Sequence, residues 1–258
     1  MTQGVAMFCY DSDFEYSRIC NFNTRQIKTH LDLPVTVYTD EKTAKKITNA
    51  ELVITDRPTG NARYFRPQER SIPLYNLNRK DVFLDPPYDK TLVIDVDYIV
   101  MSSCLLRLLY INYDFSCYRS VRDVTGCRRL EGSSVGHSDI NFCWATVMLV
   151  TRSDRCRQIG QMIDHIQKHY KYFTRLYRVS DSNTYRNDYA LSMALHQLNG
   201  MRREQCFVPG HLATIPDDVD VQVSQDRIDF QFRRDDKIIQ SYMTHTDTHI
   251  LNKEAEYA

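Results

Sequence analysis

Short apolar runs alternate with polar, turn-forming stretches through the first hundred residues. Val5-Ala6-Met7-Phe8-Cys9-Tyr10 reads as a buried strand that ends at Asp11. Ser12 and Glu15 then have capping-box spacing, and Tyr16, Ile19, Cys20, Ile27 and Leu31 fall mostly on one helical face before Pro34 stops the run. Pro34 to Asp40 reads as a β-branched strand, Glu41 to Ile47 as a short helix, and Leu52 to Thr55 as a third strand. Strand, helix, strand, helix, strand predicts a parallel α/β sheet.

From Arg57 to Asn78 the pattern lapses. Prolines at 58, 67 and 73, Gly60 and the arginines at 57, 63, 66 and 70 predict a long irregular loop, and a loop of that length is usually functional. Regularity returns at Asp89-Lys90-Thr91-Leu92-Val93-Ile94-Asp95-Val96-Asp97. A second near-continuous apolar run, Asn141 to Val150, suits a central strand. Asp154 to Phe173 and Asn183 to Leu198 read as helices, the latter closed by Asn199-Gly200. Residues 221–243 alternate loosely, as a terminal hairpin would, and the tail from His245 is polar. No linker or repeat divides the chain, so one α/β domain is expected over 1–258.

Composition narrows the class. At 258 residues, with 42% hydrophobic and 26% charged positions, the chain can bury a core, which sets aside disorder, collagen and coiled coil. No apolar run approaches the length of a membrane span, and the start lacks a secretory pattern, so a cytoplasmic protein with no membrane partner is expected. The eight cysteines stand singly, without metal-binding pairs, and read as reduced thiols. Net charge is zero, but the average hides a pattern. Residues 1–114 carry 14 Lys/Arg and 15 Asp/Glu, residues 115–203 carry 14 and 7, and residues 204–258 carry 5 and 11: −1, +7 and −6. The positive middle, including Arg119, Arg122, Arg128, Arg129, Arg152, Arg155, Arg157 and the cation-aromatic stretch 168–178, could track a phosphate backbone.

The most telling chemistry is Leu92-Val93-Ile94-Asp95-Val96-Asp97. Two carboxylates at the end of a buried strand emerge in the crevice where α/β folds bind ligands. Paired carboxylates repel, and a divalent cation, magnesium or manganese, is the usual resolution. Acids at i and i+2 of a strand point to opposite sides, so they converge on one ion only if the chain bends there. Trp144, the only tryptophan, lies in an apolar run and reads as core packing before sugar platform.

Four places together carry a resemblance: Asn76-Leu77-Asn78-Arg79 leading into the Asp95-Val96-Asp97 strand; Phe142 to Leu149; Tyr185-Arg186-Asn187-Asp188-Tyr189-Ala190; and His249-Ile250-Leu251-Asn252-Lys253. In that order they resemble the nucleotide-sugar glycosyltransferases of the GT-A fold, more narrowly the phage-type nucleotide-diphospho-sugar transferases. The resemblance implies a Rossmann-like, mostly parallel sheet flanked by helices, with a nucleotide-binding half over 1–100 and an acceptor half with a C-terminal tail over 101–258. It implies a manganese or magnesium ion on Asp95, Asp97 and His249, and a nucleotide-diphosphate sugar donor held by Asn76, Arg79, Asp95 and Lys253. Asp188 would be the catalytic group, the base if the anomeric centre inverts. His245 is a rival to His249. A hydroxymethylated base of phage DNA, held by the basic segment 119–178 in the host cytoplasm, is one acceptor the resemblance suggests.

Two rivals keep their place. The same apolar strand and Asp95-Val96-Asp97 fit a haloacid-dehalogenase-type phosphohydrolase with Asp95 as nucleophile, although about ninety residues precede the motif and Ile99 stands where Thr or Val is expected. A non-catalytic nucleic-acid-binding domain would use the basic segment and leave the two aspartates unexplained.

Overall fold

The alternation of inward-facing residues along four parallel strands builds the centre of the molecule. In the computed structural model, residues 1–65, 69–127, 134–138, 140–180, 184–200 and 207–258 are described. Arg66, Pro67, Arg128, Arg129, Asn183 and Cys206, singled out in the sequence, lie outside them, as do the side chains of Arg63 and Arg70.

The first half runs β1 (Gln3–Phe8), α1 (Tyr16–Leu31), β2 (Val35–Thr39), α2 (Glu41–Ala44) and β3 (Glu51–Ile54). Next come β4 (Ala62–Phe65), β5 (Arg70–Pro73), α3 (Asp81–Leu84), β6 (Lys90–Ile94), β7 (Tyr98–Ile99) and α4 (Leu106–Tyr110). Then follow β8 (Phe115–Tyr118), β9 (Val121–Asp123), β10 (Trp144–Thr151), α5 (Asp154–Lys168), α6 (Tyr170–Leu176) and α7 (Asn187–Leu198). The chain closes with β11 (Leu212–Ile215), β12 (Asp220–Val223), β13 (Ile228–Arg234), β14 (Lys237–Met243), β15 (Thr248–Ile250) and β16 (Glu256–Tyr257).

The main sheet has the order β3-β2-β1-β6-β10-β8. Its first four strands are parallel, and β10 runs antiparallel to both β6 and β8. Residues two apart share a face. Val5, Met7, Leu92, Ile94, Val147 and Leu149 therefore pack on one side against Cys20, Ile27 and Leu31 of α1 and Leu108 and Leu109 of α4. Ala6, Val93, Met148 and Val150 pack on the other against Ile159 and Ile163 of α5 and Leu191 and Leu195 of α7. The result is a mixed α/β fold with a mostly parallel sheet between helices, as the sequence predicts.

Two smaller sheets, β7-β15-β11-β9 and β14-β13-β12-β16, lie beyond the carboxyl end of β6. They share a third core with Ile19 and Phe22 of α1.

Several expectations need correction. Ser12 and Glu15 make no capping box: α1 begins at Tyr16 with no side-chain cap from Glu15, and Asp11 instead accepts the Ser17 N–H at 2.8 Å. The stretch 57–78 is not wholly irregular, because Ala62–Phe65 and Arg70–Pro73 form an antiparallel hairpin. The helix expected over 154–173 breaks at His169 into α5 and α6. The tail after His245 is built into the fold through β15 and β16, and Lys253 is 8% exposed. No helix among the described residues is long and apolar enough to cross a membrane. The described cysteines are free thiols.

Candidate functional site

The backbone after Ile94 solves the problem posed by acids at i and i+2. The Tyr98 N–H donates to the Asp95 carbonyl at 3.0 Å, closing a turn that swings both carboxylates to one side. Asn23 of α1, fully buried, holds this turn. Its Nδ2 donates to the Tyr98 carbonyl at 2.7 Å and its Oδ1 accepts the Val100 N–H at 3.1 Å. Nothing in the sequence pattern marked Asn23, which sits among apolar helix positions.

β15 supplies the third group. It lies between β7 and β11, with His249 opposite Tyr98 and beside Thr214 in register. The Ile250 N–H donates to the Asp97 carbonyl at 2.8 Å. His249 Nε2 is then 3.3 Å from Asp97 Oδ1, and ligand atoms of Asp95, Asp97 and His249 lie within 4.8 Å of one another. His245, the rival, is exposed and outside this cluster.

Two protein cations face the carboxylates. Arg79 NH1 is 2.5 Å from Asp95 Oδ1, and Arg79 NH2 donates to the Ala145 carbonyl at 2.6 Å. Lys253 Nζ contacts Asp97 Oδ2 and also donates to the Ile250 carbonyl at 3.2 Å. Burial works against the Asp97 charge, but Lys253 and His249 outweigh it, and the carboxyl sits well below the usual range. At Asp95 burial prevails over Arg79, with repulsion from Asp97 added, and the carboxyl is raised.

All seven residues singled out for donor, metal or catalysis line one cavity of about 730 Å³. Asn76 is held there by the buried Asn61, whose Nδ2 donates to Asn76 Oδ1 at 2.8 Å. The same Asn61 pins Tyr185 through its carbonyl and N–H, both at 2.9 Å. Asp188, in the first turn of α7, accepts the Ala145 N–H at 2.8 Å through Oδ1. Its Oδ2 is 3.4 Å from the Arg186 guanidinium, which lies 4.9 Å from the centre of the Tyr189 ring.

Other wall residues were given no donor, metal or catalytic role by the sequence. Tyr10 and Tyr75 meet edge to face with centroids 6.2 Å apart, and Tyr10 bonds Thr55 and Asn78. Trp144 reaches the cavity while also packing on both cores, its ring 4.8 Å from that of Phe142. Thr214 and Arg186 complete the polar wall. Asp11 and Asp40, left without a role by the sequence, are engaged in structure: Asp11 with Ser17 and Lys46, Asp40 in capping α2 and pairing Arg57 at 2.6 Å. Among the described residues, no lysine or arginine of segment 119–178 lines the cavity.

No protein-family description and no curated protein matches the chain. Among solved structures it is similar to the galactosyltransferase LgtC in complex with donor and acceptor sugar analogues. The identity there is 14%, over 76% of this chain and 70% of that one, with a TM-score of 0.48. It is also similar to the glycosyltransferase GlyE of Streptococcus pneumoniae TIGR4. There the identity is 13%, over 80% of this chain and 44% of that one, with a TM-score of 0.44. Likenesses this faint say nothing of what the chain binds, and the cavity's own chemistry carries the functional reading.

The donor set fits a divalent ion. Two carboxylates and an imidazole supply oxygen and nitrogen ligands of the kind manganese and magnesium accept. Among the described residues the cavity lining carries three carboxylates, Asp95, Asp97 and Asp188, against three cations, Arg79, Arg186 and Lys253. Its walls are neutral by themselves. A bound divalent ion would leave an excess of two positive charges, which a diphosphate matches.

Proposed function

We propose that the protein is a metal-dependent glycosyltransferase of the GT-A type that moves a sugar from a nucleotide-diphosphate donor to an acceptor hydroxyl. The observation that carries this reading is the convergence of Asp95, Asp97 and His249 at the carboxyl end of β6, in a cavity large enough for a sugar nucleotide and otherwise neutral. A metal bound there would supply Lewis-acid stabilisation of the departing diphosphate.

The chain's own residues take the remaining roles. Asp95, Asp97 and His249 hold the ion, and Lys253 and Arg79 place positive charge where the diphosphate leaves. Tyr10 and Tyr75 offer aromatic surface to the nucleotide base, and Asn76 a polar contact for the donor. Asp188 presents a carboxylate to the reacting sugar or the acceptor hydroxyl, accepting its proton if the reaction inverts. Residues 1–100 thus give most of the donor side, while β10, α7 and the C-terminal strand complete the site.

For the acceptor, the DNA reading rests on the exposed cations Lys171, Arg175 and Arg178 around α6. α6 adjoins the cavity rim through Tyr170, whose hydroxyl accepts the Arg186 N–H at 3.2 Å. Salt-dependent retention on hydroxymethylcytosine DNA supports it, and salt-independent, weak retention ends it. The phosphohydrolase reading has Asp95 attack phosphate, yet Arg79 holds that carboxylate and nothing in that chemistry calls for His249.

A thermal-shift series of nucleoside diphosphates and sugar nucleotides, with and without manganese, tests the main reading. A ligand specific to the folded state raises stability by about 2.7 kcal/mol at a hundredfold excess over its Kd. We expect manganese-dependent stabilisation by one nucleotide family, lost in Asp97→Ala. Absence of a shift with every nucleotide rejects the reading.

A further inference from the structure

The carboxylates at the end of β6 are already neutralised before any metal arrives. Arg79 serves Asp95, and Lys253 serves Asp97. The two pairings differ in kind. Arg79 is also fixed to the Ala145 carbonyl, so its guanidinium is braced from two sides. Lys253 has an unbranched stem and a compact ammonium, with its side chain 3% exposed and, among the described residues, the Ile250 carbonyl as its second acceptor. Its backbone is anchored, because β15 before it and β16 after it are both paired in sheets. The side chain can turn, but the residue cannot leave.

We infer that Lys253 is a resident counter-ion that couples metal and diphosphate binding. Its ammonium occupies the Asp97 carboxylate while the site is empty of ligand and transfers to the diphosphate when a divalent cation takes that carboxylate. This inference rests on the metal-site reading above. A divalent ion on Asp97 Oδ1 and His249 Nε2 stands beside an ammonium held on Asp97 Oδ2, in a buried setting where like charges repel strongly. Metal alone therefore meets a penalty. A diphosphate alone meets two carboxylates, with Lys253 still engaged by one of them. Each ligand removes the obstacle to the other, and the gain in affinity is reciprocal.

The coupling also has a chemical use. An ion that binds well only with the diphosphate brings the leaving group's counter-charge into the cavity together with the donor. When the diphosphate departs with the ion, Lys253 returns to Asp97 and restores a neutral wall.

The experiment measures free Mn²⁺ by electron paramagnetic resonance during titration of the full chain, alone and with saturating ADP, GDP, CDP or UDP in turn. Wild type, Lys253→Met and Lys253→Arg are compared. Wild type is expected to bind Mn²⁺ at least about tenfold more tightly with its matching diphosphate than without it. In Lys253→Met the Mn²⁺ affinity without nucleotide should rise about fivefold or more, and the coupling factor should shrink; Lys253→Arg, which keeps the charge, should bind Mn²⁺ alone as weakly as wild type. Should Lys253→Met fail to fold, Lys253→Gln carries the same expectation, since its amide still donates to Asp97.

Unchanged or weaker Mn²⁺ binding without nucleotide in the neutral variants overturns the inference and leaves Lys253 a phosphate ligand only. Failure of wild type to bind Mn²⁺ with or without any diphosphate instead overturns the metal-site reading beneath it.

Discussion

The Asp188 carboxylate accepts the Ala145 N–H at 2.8 Å, tying the first turn of α7 to the start of β10. The Ala145 carbonyl accepts from Arg79 at 2.6 Å, so one peptide residue is clamped between a proposed catalytic carboxylate and a proposed diphosphate cation. Asp188 thus has a structural duty through Oδ1, while Oδ2 faces the cavity beside the Arg186 guanidinium at 3.4 Å, and two substitutions separate the brace from the chemistry. Asp188→Asn keeps an oxygen for the Ala145 N–H and should cost less than about 1 kcal/mol in urea unfolding, whereas Asp188→Ala should cost about 1–3 kcal/mol. Both should lower sugar transfer by a factor on the order of a hundred if the carboxylate touches the reacting groups. Equal activity in Asp188→Asn and wild type would reduce Asp188 to a brace.

Arg79 is the second test of the same clamp. Arg79→Met leaves Asp95 without its counter-ion and the Ala145 carbonyl without its donor. Removal of one partner of a buried pair costs about 3–5 kcal/mol, and the 28% exposure of the Asp95 side chain trims that to roughly 2–3. Manganese should recover part of the loss, since it offers Asp95 a replacement charge. Urea midpoints with and without the ion decide the matter, and a midpoint unmoved by the substitution would show the pair to be a surface contact.

How far the sequence reveals this site depends on the element concerned. β6 was legible because an apolar run ending in two carboxylates has few meanings in an α/β pattern. The bend that lets those carboxylates converge was not, since it depends on Asn23, a polar residue from α1 whose hydrogen bonds are invisible to periodicity. His249 is a similar case. Thr246-Asp247-Thr248-His249 has no apolar alternation, and the segment becomes a strand only because β7 and β11 supply backbone partners on both sides. Glu41 to Ile47 reads as a short helix, but only its first turn, Glu41–Ala44, forms, capped by the Asp40 side chain. The break at His169 was not, because apolar spacing carries on smoothly from Ile166 to Phe173.

Thr214 stands beside His249 in register, 2% exposed, and its hydroxyl finds no hydrogen-bond partner among the described residues. A buried, unsatisfied hydroxyl is a liability that a methyl group of the same shape removes. Thr214→Val is therefore expected to stabilise the metal-free protein by up to about 1 kcal/mol in chemical unfolding. Destabilisation by a similar amount would reveal a buried water bonded to the hydroxyl.

Asp247 gives the fold a pH signature of its own. Its Oδ1 accepts the Met101 N–H at 2.8 Å, and burial pushes the carboxyl up to about 6, against the opposing pull of hydrogen bonds from Met101 and Ser102. An unfolded aspartate titrates near 3.9. Between those values the native state binds the extra proton, so the contribution is fully present below about pH 4 and is lost as pH rises through about 6. Two units correspond to roughly 3 kcal/mol, and partial solvent access brings the expected loss to about 2. Asp247→Asn keeps the acceptor for Met101 and removes the titration. It should match wild type within about 0.5 kcal/mol at pH 4 and exceed it by about 2 kcal/mol at pH 8. Groups that titrate in both proteins cancel in the difference, so parallel stability profiles across this range would mean that Asp247 keeps its ordinary acidity in the folded chain.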